Sequence, residues 1–97
     1  MNIEYHPELE NELREIIGYY NGCVQGLGID FLDAFEHQVL KIASAPTLWM
    51  VIEGDIRCAL IKRFPYVIYF RILKGDILRI IVIKHQRRHP NLGRKRK

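Results

Sequence analysis

Apolar and polar positions change their spacing twice along this chain of 97 residues. In "NIEYH", Ile3 and Tyr5 alternate about Glu4, a period of two that predicts a brief strand. From Pro7 the period lengthens. Leu9, Leu13, Ile16, Ile17 and Tyr20 recur at helical spacing, with Glu8, Glu12 and Glu15 on the opposite face. Proline is tolerated in a first helical turn, and Glu8 and Glu10 suit the positive end of the helix dipole. "NGCVQGLG" breaks the pattern with three glycines and reads as a connection. The helical period then resumes in Phe31, Leu32, Phe35, Val39 and Ile42, with Asp30 as an early acidic residue. It stops before Pro46, because a residue that precedes proline avoids helical geometry. Two short-linked amphipathic helices predict an antiparallel hairpin.

After Pro46 the pattern becomes that of strands. "TLWMVIEGD" holds Trp49 and ends in the turn signal Glu53-Gly54-Asp55. "IRCALIKR" is a strand, and Arg63-Phe64-Pro65 turns the chain, since proline cannot sit inside a central strand. "YVIYFRIL" is the next strand, and Lys74-Gly75-Asp76 is a tight hairpin turn. "ILRIIVIKH" is nearly continuous in β-branched residues, which predicts a strand covered on both faces. "QRRHPNLGRKRK" closes the chain, with residues 91–97 forming a basic tail. The expected fold is therefore α+β in two layers. An N-terminal strand and an α-helical hairpin pack on an antiparallel sheet, in the order β-α-α-β-β-β. The length supports one domain, residues 1–97.

Charge adds a direction to this picture. Residues 1–50 hold eight acidic and two basic residues, a net of −6, and residues 51–97 hold three acidic and thirteen basic, a net of +10. Such asymmetry points to a surface that attracts a polyanion or an acidic partner on the C-terminal half. Acidic helices that complement a basic sheet are the plainer reading. Strand alternation groups Val67, Tyr69 and Arg71 on one face, and Tyr66, Ile68, Phe70 and Ile72 on the other. The second set is the more apolar and is expected under the helices. The first is expected to look outward, with Arg57 and Arg63 on the neighbouring strand and Arg79 across the hairpin. Arginines beside tyrosines suit nucleic acid or an acidic protein groove, although an ordinary solvated face has the same composition. Arg87 and Arg88 in "QRRHP" extend the basic set.

Several classes fall away. No apolar run reaches the roughly 18 residues that a membrane helix needs. The N-terminus lacks the basic start and apolar center of a signal peptide, which predicts a cytoplasmic protein. Cys23 and Cys58 are expected as reduced core residues rather than a disulfide. No histidine lies at metal-ligand spacing from either, so neither a metal nor a cofactor is expected.

The order, size and charge split resemble the RelE/ParE superfamily of bacterial toxins from type II toxin–antitoxin modules. "EYHPELENELREIIGYY" is similar to its opening strand and first helix, and "GLGIDFLDAFEHQVLKIASAP" to its second helix. "GDIRCALIKRFPYVIYFRI" and "IVIKHQRRHP" resemble the sheet of the ParE-like branch. The resemblance covers nearly the whole chain. It implies a toxin neutralised by a cognate antitoxin whose acidic, amphipathic C-terminal segment folds on binding. That segment is expected to cover the apolar groove of the hairpin, at Leu13, Ile17, Tyr20, Phe31, Phe35 and Trp49, and to reach the basic sheet face. Within the superfamily, RelE-like members cut messenger RNA on the ribosome, and ParE-like members inhibit DNA gyrase with no known hydrolytic step.

The residues must choose between these mechanisms, since the fold does not. Cleavage of RNA needs an acid, a base and cations that hold the phosphate. RelE-like enzymes resemble one another in placing a basic residue directly after the aromatic that opens the third strand, a position that Val67 takes here. Basic residues on the preceding strand align without gaps to Cys58 and Leu60. The standard nuclease site is therefore absent from the sequence. A displaced set, Arg57, Lys62, Arg71 and His85, keeps a ribosome-dependent endoribonuclease as the alternative. The leading expectation is binding to gyrase through Arg57, Arg63, Tyr69, Arg71, Arg79, Arg87 and Arg88. A third possibility is an inactive homologue that serves only to bind its antitoxin.

Overall fold

The computed structural model describes residues 1–87. The chain runs β1 (Asn2–Tyr5), α1 (Leu9–Cys23), α2 (Leu27–Ser44), a 3-10 turn (Pro46–Leu48), β2 (Val51–Glu53), β3 (Ile56–Leu60), β4 (Tyr66–Leu73) and β5 (Ile77–His85). The strands form one sheet in the order β1-β5-β4-β3-β2, and the helical hairpin covers one of its faces. The two-layer α+β architecture is the one the sequence predicts, with two additions. The segment before the Glu53-Gly54-Asp55 turn supplies an extra edge strand, β2, antiparallel to β3. β1 pairs in parallel with β5, Ile3 opposite Leu78 and Glu4 opposite Arg79, so the sheet is mixed. A parallel pair needs a long crossover, and here the helical hairpin and the meander supply it.

The hairpin is tighter than its glycines suggest. The connection shrinks to residues 24–26, with Gly26 at φ +85°, where a side chain would be strained. Gly28 lies inside α2, against α1. A Cβ at this position would overlap the carbonyl oxygen of Ile17 and lie 2.7 Å from the Asn21 side chain. Its N–H donates to Asn21 Oδ1 at 2.7 Å. The glycine is thus a packing device as well as a helix breaker in the sequence pattern. At the start of α1, the Glu8 N–H donates to His6 Nδ1 at 3.2 Å and satisfies one of the orphan donors of the helix.

The core lies between hairpin and sheet. Leu9 and Ile16 from α1 and Phe31, Phe35, Val39 and Ile42 from α2 pack on Ile68, Phe70, Leu78 and Ile80. At one end an aromatic cluster joins the layers, with Tyr20, Phe64 and Tyr66 all within 5.6 Å of the Phe31 ring, centroid to centroid. β5 carries a bulge. Tyr69 pairs with Val82 but Phe70 with Ile80, so Ile81 is an extra residue. All residues from Ile80 to Lys84 are buried, in keeping with a strand covered on both faces. The cysteines differ from expectation in one respect. Neither lies in the core: Cys58 is half-buried on the β3 face that points away from the helices, opposite Tyr69, and Cys23 is exposed at the end of α1.

Candidate functional site

The face of the sheet that points away from the helices has a charged end and an apolar end. At the charged end Arg71 lies directly opposite Arg79 across the β4–β5 pair. Two like charges in that position repel, and a carboxylate relieves each. Arg71 Nε and Nη2 donate to Asp55 Oδ2 at 2.9 and 2.8 Å, and Arg79 Nη1 donates to Glu4 Oε1 at 3.2 Å. The Arg71 hydrogen bond holds the Asp55 carboxyl below the usual carboxylate range. Tyr69 lies on the same face, with Lys84 Nζ 5.8 Å from its ring center. The structure brings Tyr69, Arg71 and Arg79 together, and it places the two arginines in ion pairs. The apolar end is made of Cys58 and Leu60, opposite Tyr69 and Val67 respectively. Burial pushes the Cys58 thiol up, which makes it a poor nucleophile.

Arg57 does not join this face. The register sets it opposite Phe70, on the helix side, and its Nη1 donates to the main-chain carbonyls of Trp49 at 2.7 Å and Thr47 at 3.2 Å. The outward orientation expected from the sequence is corrected: Arg57 ties the 3-10 turn to β3. Arg63 lies in the β3–β4 turn at φ +74°, not on a strand.

His85 is also on the helix side. It pairs with Tyr66, ring centers 5.3 Å apart, and its Nδ1 accepts the Arg87 N–H at 3.2 Å. It lines a cavity of about 670 Å³ between α1 and the end of β5, with Glu12, Glu15, Tyr19, Tyr66 and Arg87 among the other walls. Arg71 is five positions along β4 from the Tyr66–His85 pair and on the opposite face, roughly 16 Å away at strand rise. The set Arg57, Lys62, Arg71 and His85 is therefore not gathered into one site. Arg88 lies outside the described residues. Among the described residues, no cluster of histidine, cysteine and carboxylate side chains is arranged to hold a metal ion, and no helix is long and apolar enough to cross a membrane.

Residues 3–90 match the family model described as the ParE toxin of the type II toxin–antitoxin system parDE. The chain belongs to the ParE toxin family. Its fold is similar to that of a chain from the chromosomal ParDE toxin–antitoxin system of P. aeruginosa, with a TM-score of 0.76 at 17% identity, over 88% of this chain and 95% of that one. It is also similar to the isolated E. coli RelE toxin, with a TM-score of 0.63 at 9% identity, over 92% of this chain and 87% of that one. No curated protein matches by sequence. Family membership makes this a type II toxin–antitoxin toxin, and it implies a cognate antitoxin.

In this ParE-family chain the residues expected to meet the antitoxin fall into two groups. Leu13 and Phe35 line a crevice of about 430 Å³, where the hairpin meets β1, with Tyr5, Leu9 and Leu32. Ile17, Tyr20 and Trp49 are half-buried against the core. Phe31 is 0% exposed and is removed from the set, since its ring lies inside the aromatic cluster where no partner can reach it. The cavity beside His85 adds Glu12, Glu15 and Tyr19, which are not among the site residues expected from the sequence. Their spacing with Ile16 (i, i+3, i+4, i+7) was a readable signal that they share a helix side.

Proposed function

We propose that this toxin inhibits DNA gyrase by binding it, with no hydrolytic step of its own, and that a cognate antitoxin neutralises it. The observation that supports this most is the outer sheet face. Cys58, Leu60 and Val67 stand together where an RNA-cleaving member keeps cations, and they offer no acid, no base and no group to hold a phosphate. The remaining polar candidates are dispersed over both faces. In this reading the whole chain, residues 1–97, acts as one toxin domain in the cytoplasm. The antitoxin's amphipathic segment lies in the crevice at Leu13 and Phe35, with apolar side chains in the groove. Glu10 and Glu36 on the crevice wall favor a cation at that point of the segment.

Expression without antitoxin tests the mechanism. DNA breaks and an SOS-type response, with messenger RNA intact, are the expected result. Codon-phased cuts in translated messenger RNA would refute it and restore the endoribonuclease reading.

A further inference from the structure

The apolar end of the outer face extends beyond the three strand positions already described. Ile56, Cys58 and Leu60 alternate onto this face of β3, a row with no charged side chain. The Cys58 N–H donates to the Met50 carbonyl at 3.1 Å, which sets Met50 beside the row. Trp49 packs on the core, and its chain neighbors Leu48 and Met50 are 83% and 67% exposed, while Leu60 is 55% exposed. Single exposed apolar residues need no explanation, but a contiguous group of large ones marks a contact surface. The border is basic. Lys62 and Arg63 follow Leu60 after one buried residue, Ile61, are exposed, and form no ion pair among the described residues. Arg71, by contrast, is neutralised by Asp55.

We infer that this patch, Met50, Leu60 and Val67 with Leu48, bordered by Lys62 and Arg63, is where the toxin docks on its protein target. The inference rests on the reading of the chain as a binding inhibitor. The complementary surface is a polypeptide segment with a few apolar side chains next to carboxylates. The apolar side chains fill the patch, and the carboxylates meet Lys62 and Arg63. A nucleic acid fits less well, because its contacts go first to phosphates and the row on β3 offers none a cation. The hairpin crevice lies on the other side of the sheet, so a segment held there does not occupy the patch.

The test uses the full chain, purified with its antitoxin and then freed from it, as wild type, Leu60→Glu, Met50→Gln and Lys62→Glu. The exposed positions should leave the melting temperature within a few degrees, and Met50→Gln serves if Leu60→Glu does not fold. The half-inhibitory concentration against gyrase should rise at least about tenfold for Leu60→Glu, as for a lost interface hot spot. Growth arrest should weaken in parallel, and antitoxin affinity should stay within about threefold. Unchanged arrest by the variants overturns the patch. So does an equal loss of antitoxin affinity, which would make the patch the antitoxin's. So does a wild-type dimer that Leu60→Glu dissociates, which would give it to a second copy. If the wild type arrests growth but leaves gyrase untouched, the gyrase reading fails. The patch still stands or falls on the arrest by its variants. A wild type that arrests nothing overturns both.

Discussion

Substitution of Gly28 by alanine should destabilise this protein, although Gly→Ala inside a helix ordinarily stabilises. The helix propensity gain is about 1 kcal/mol. Against it stands a methyl group that must overlap the main-chain carbonyl of Ile17 and crowd the Asn21 side chain at 2.7 Å. Backbone cannot yield as a long side chain can, so overpacking should cost about 1–3 kcal/mol. The displaced Asn21 side chain also gives up its bond to the Gly28 N–H, about 1 kcal/mol more. The net is a loss of about 2 kcal/mol, or roughly 8–16 °C in melting temperature for a domain of this size. Gly18→Ala is the control. Gly18 is interior to α1, and nothing lies within 4 Å of a Cβ built there, so the same substitution should stabilise by up to about 1 kcal/mol. Thermal unfolding followed by far-UV circular dichroism reads both. If Gly28→Ala melts at or above the wild type, or if the two variants move together, the close approach of α1 and α2 is wrong.

Three further outcomes follow from the same geometry. Arg57→Met should cost about 1.5–3 kcal/mol in urea unfolding, since a charged donor leaves the carbonyls of Thr47 and Trp49. Asp55→Asn should cost only about 0.5 kcal/mol at neutral pH, because the pair is more than half exposed on the acid's side. The Asp55 pKa is lowered on folding, so its contribution is complete above the ordinary carboxylate value and is lost as pH falls through the depressed one. The wild-type and Asp55→Asn melting curves should therefore converge in acid. Iodoacetamide should modify exposed Cys23 well before Cys58, whose thiol is held protonated by burial. Equal rates, read by mass spectrometry, would contradict the half-buried position of Cys58.

How much of this was legible in the sequence depended on how often a pattern repeated. The helices showed clearly because Leu9 to Tyr20 and Phe31 to Ile42 each repeat the helical period over several turns. β2 did not show, because three residues are too few for alternation to emerge. The β5 bulge was hidden for the opposite reason: "IIVI" is apolar at every position, so an extra residue leaves no mark on the pattern. Arg57 was set on the wrong face because a strand's parity turns over with a one-residue shift, and its carbonyl partners come from a turn that the sequence does not announce. Arg71 and Arg79 were placed correctly on the outer face, but their pairing with Asp55 and Glu4 required the register. Phe31 looked like any other member of an apolar stripe, and only the aromatic cluster shows that it faces the core.

One reconstituted assay addresses binding inhibition of gyrase without RNA cleavage. Purified gyrase, relaxed plasmid and ATP are mixed with antitoxin-free toxin up to micromolar concentration, and supercoiling is followed on a gel. The same toxin is added in parallel to a translating extract with a labelled messenger RNA. Loss of supercoiling with the messenger intact is the predicted result. Full supercoiling together with a cut messenger would contradict binding inhibition and make the chain a nuclease.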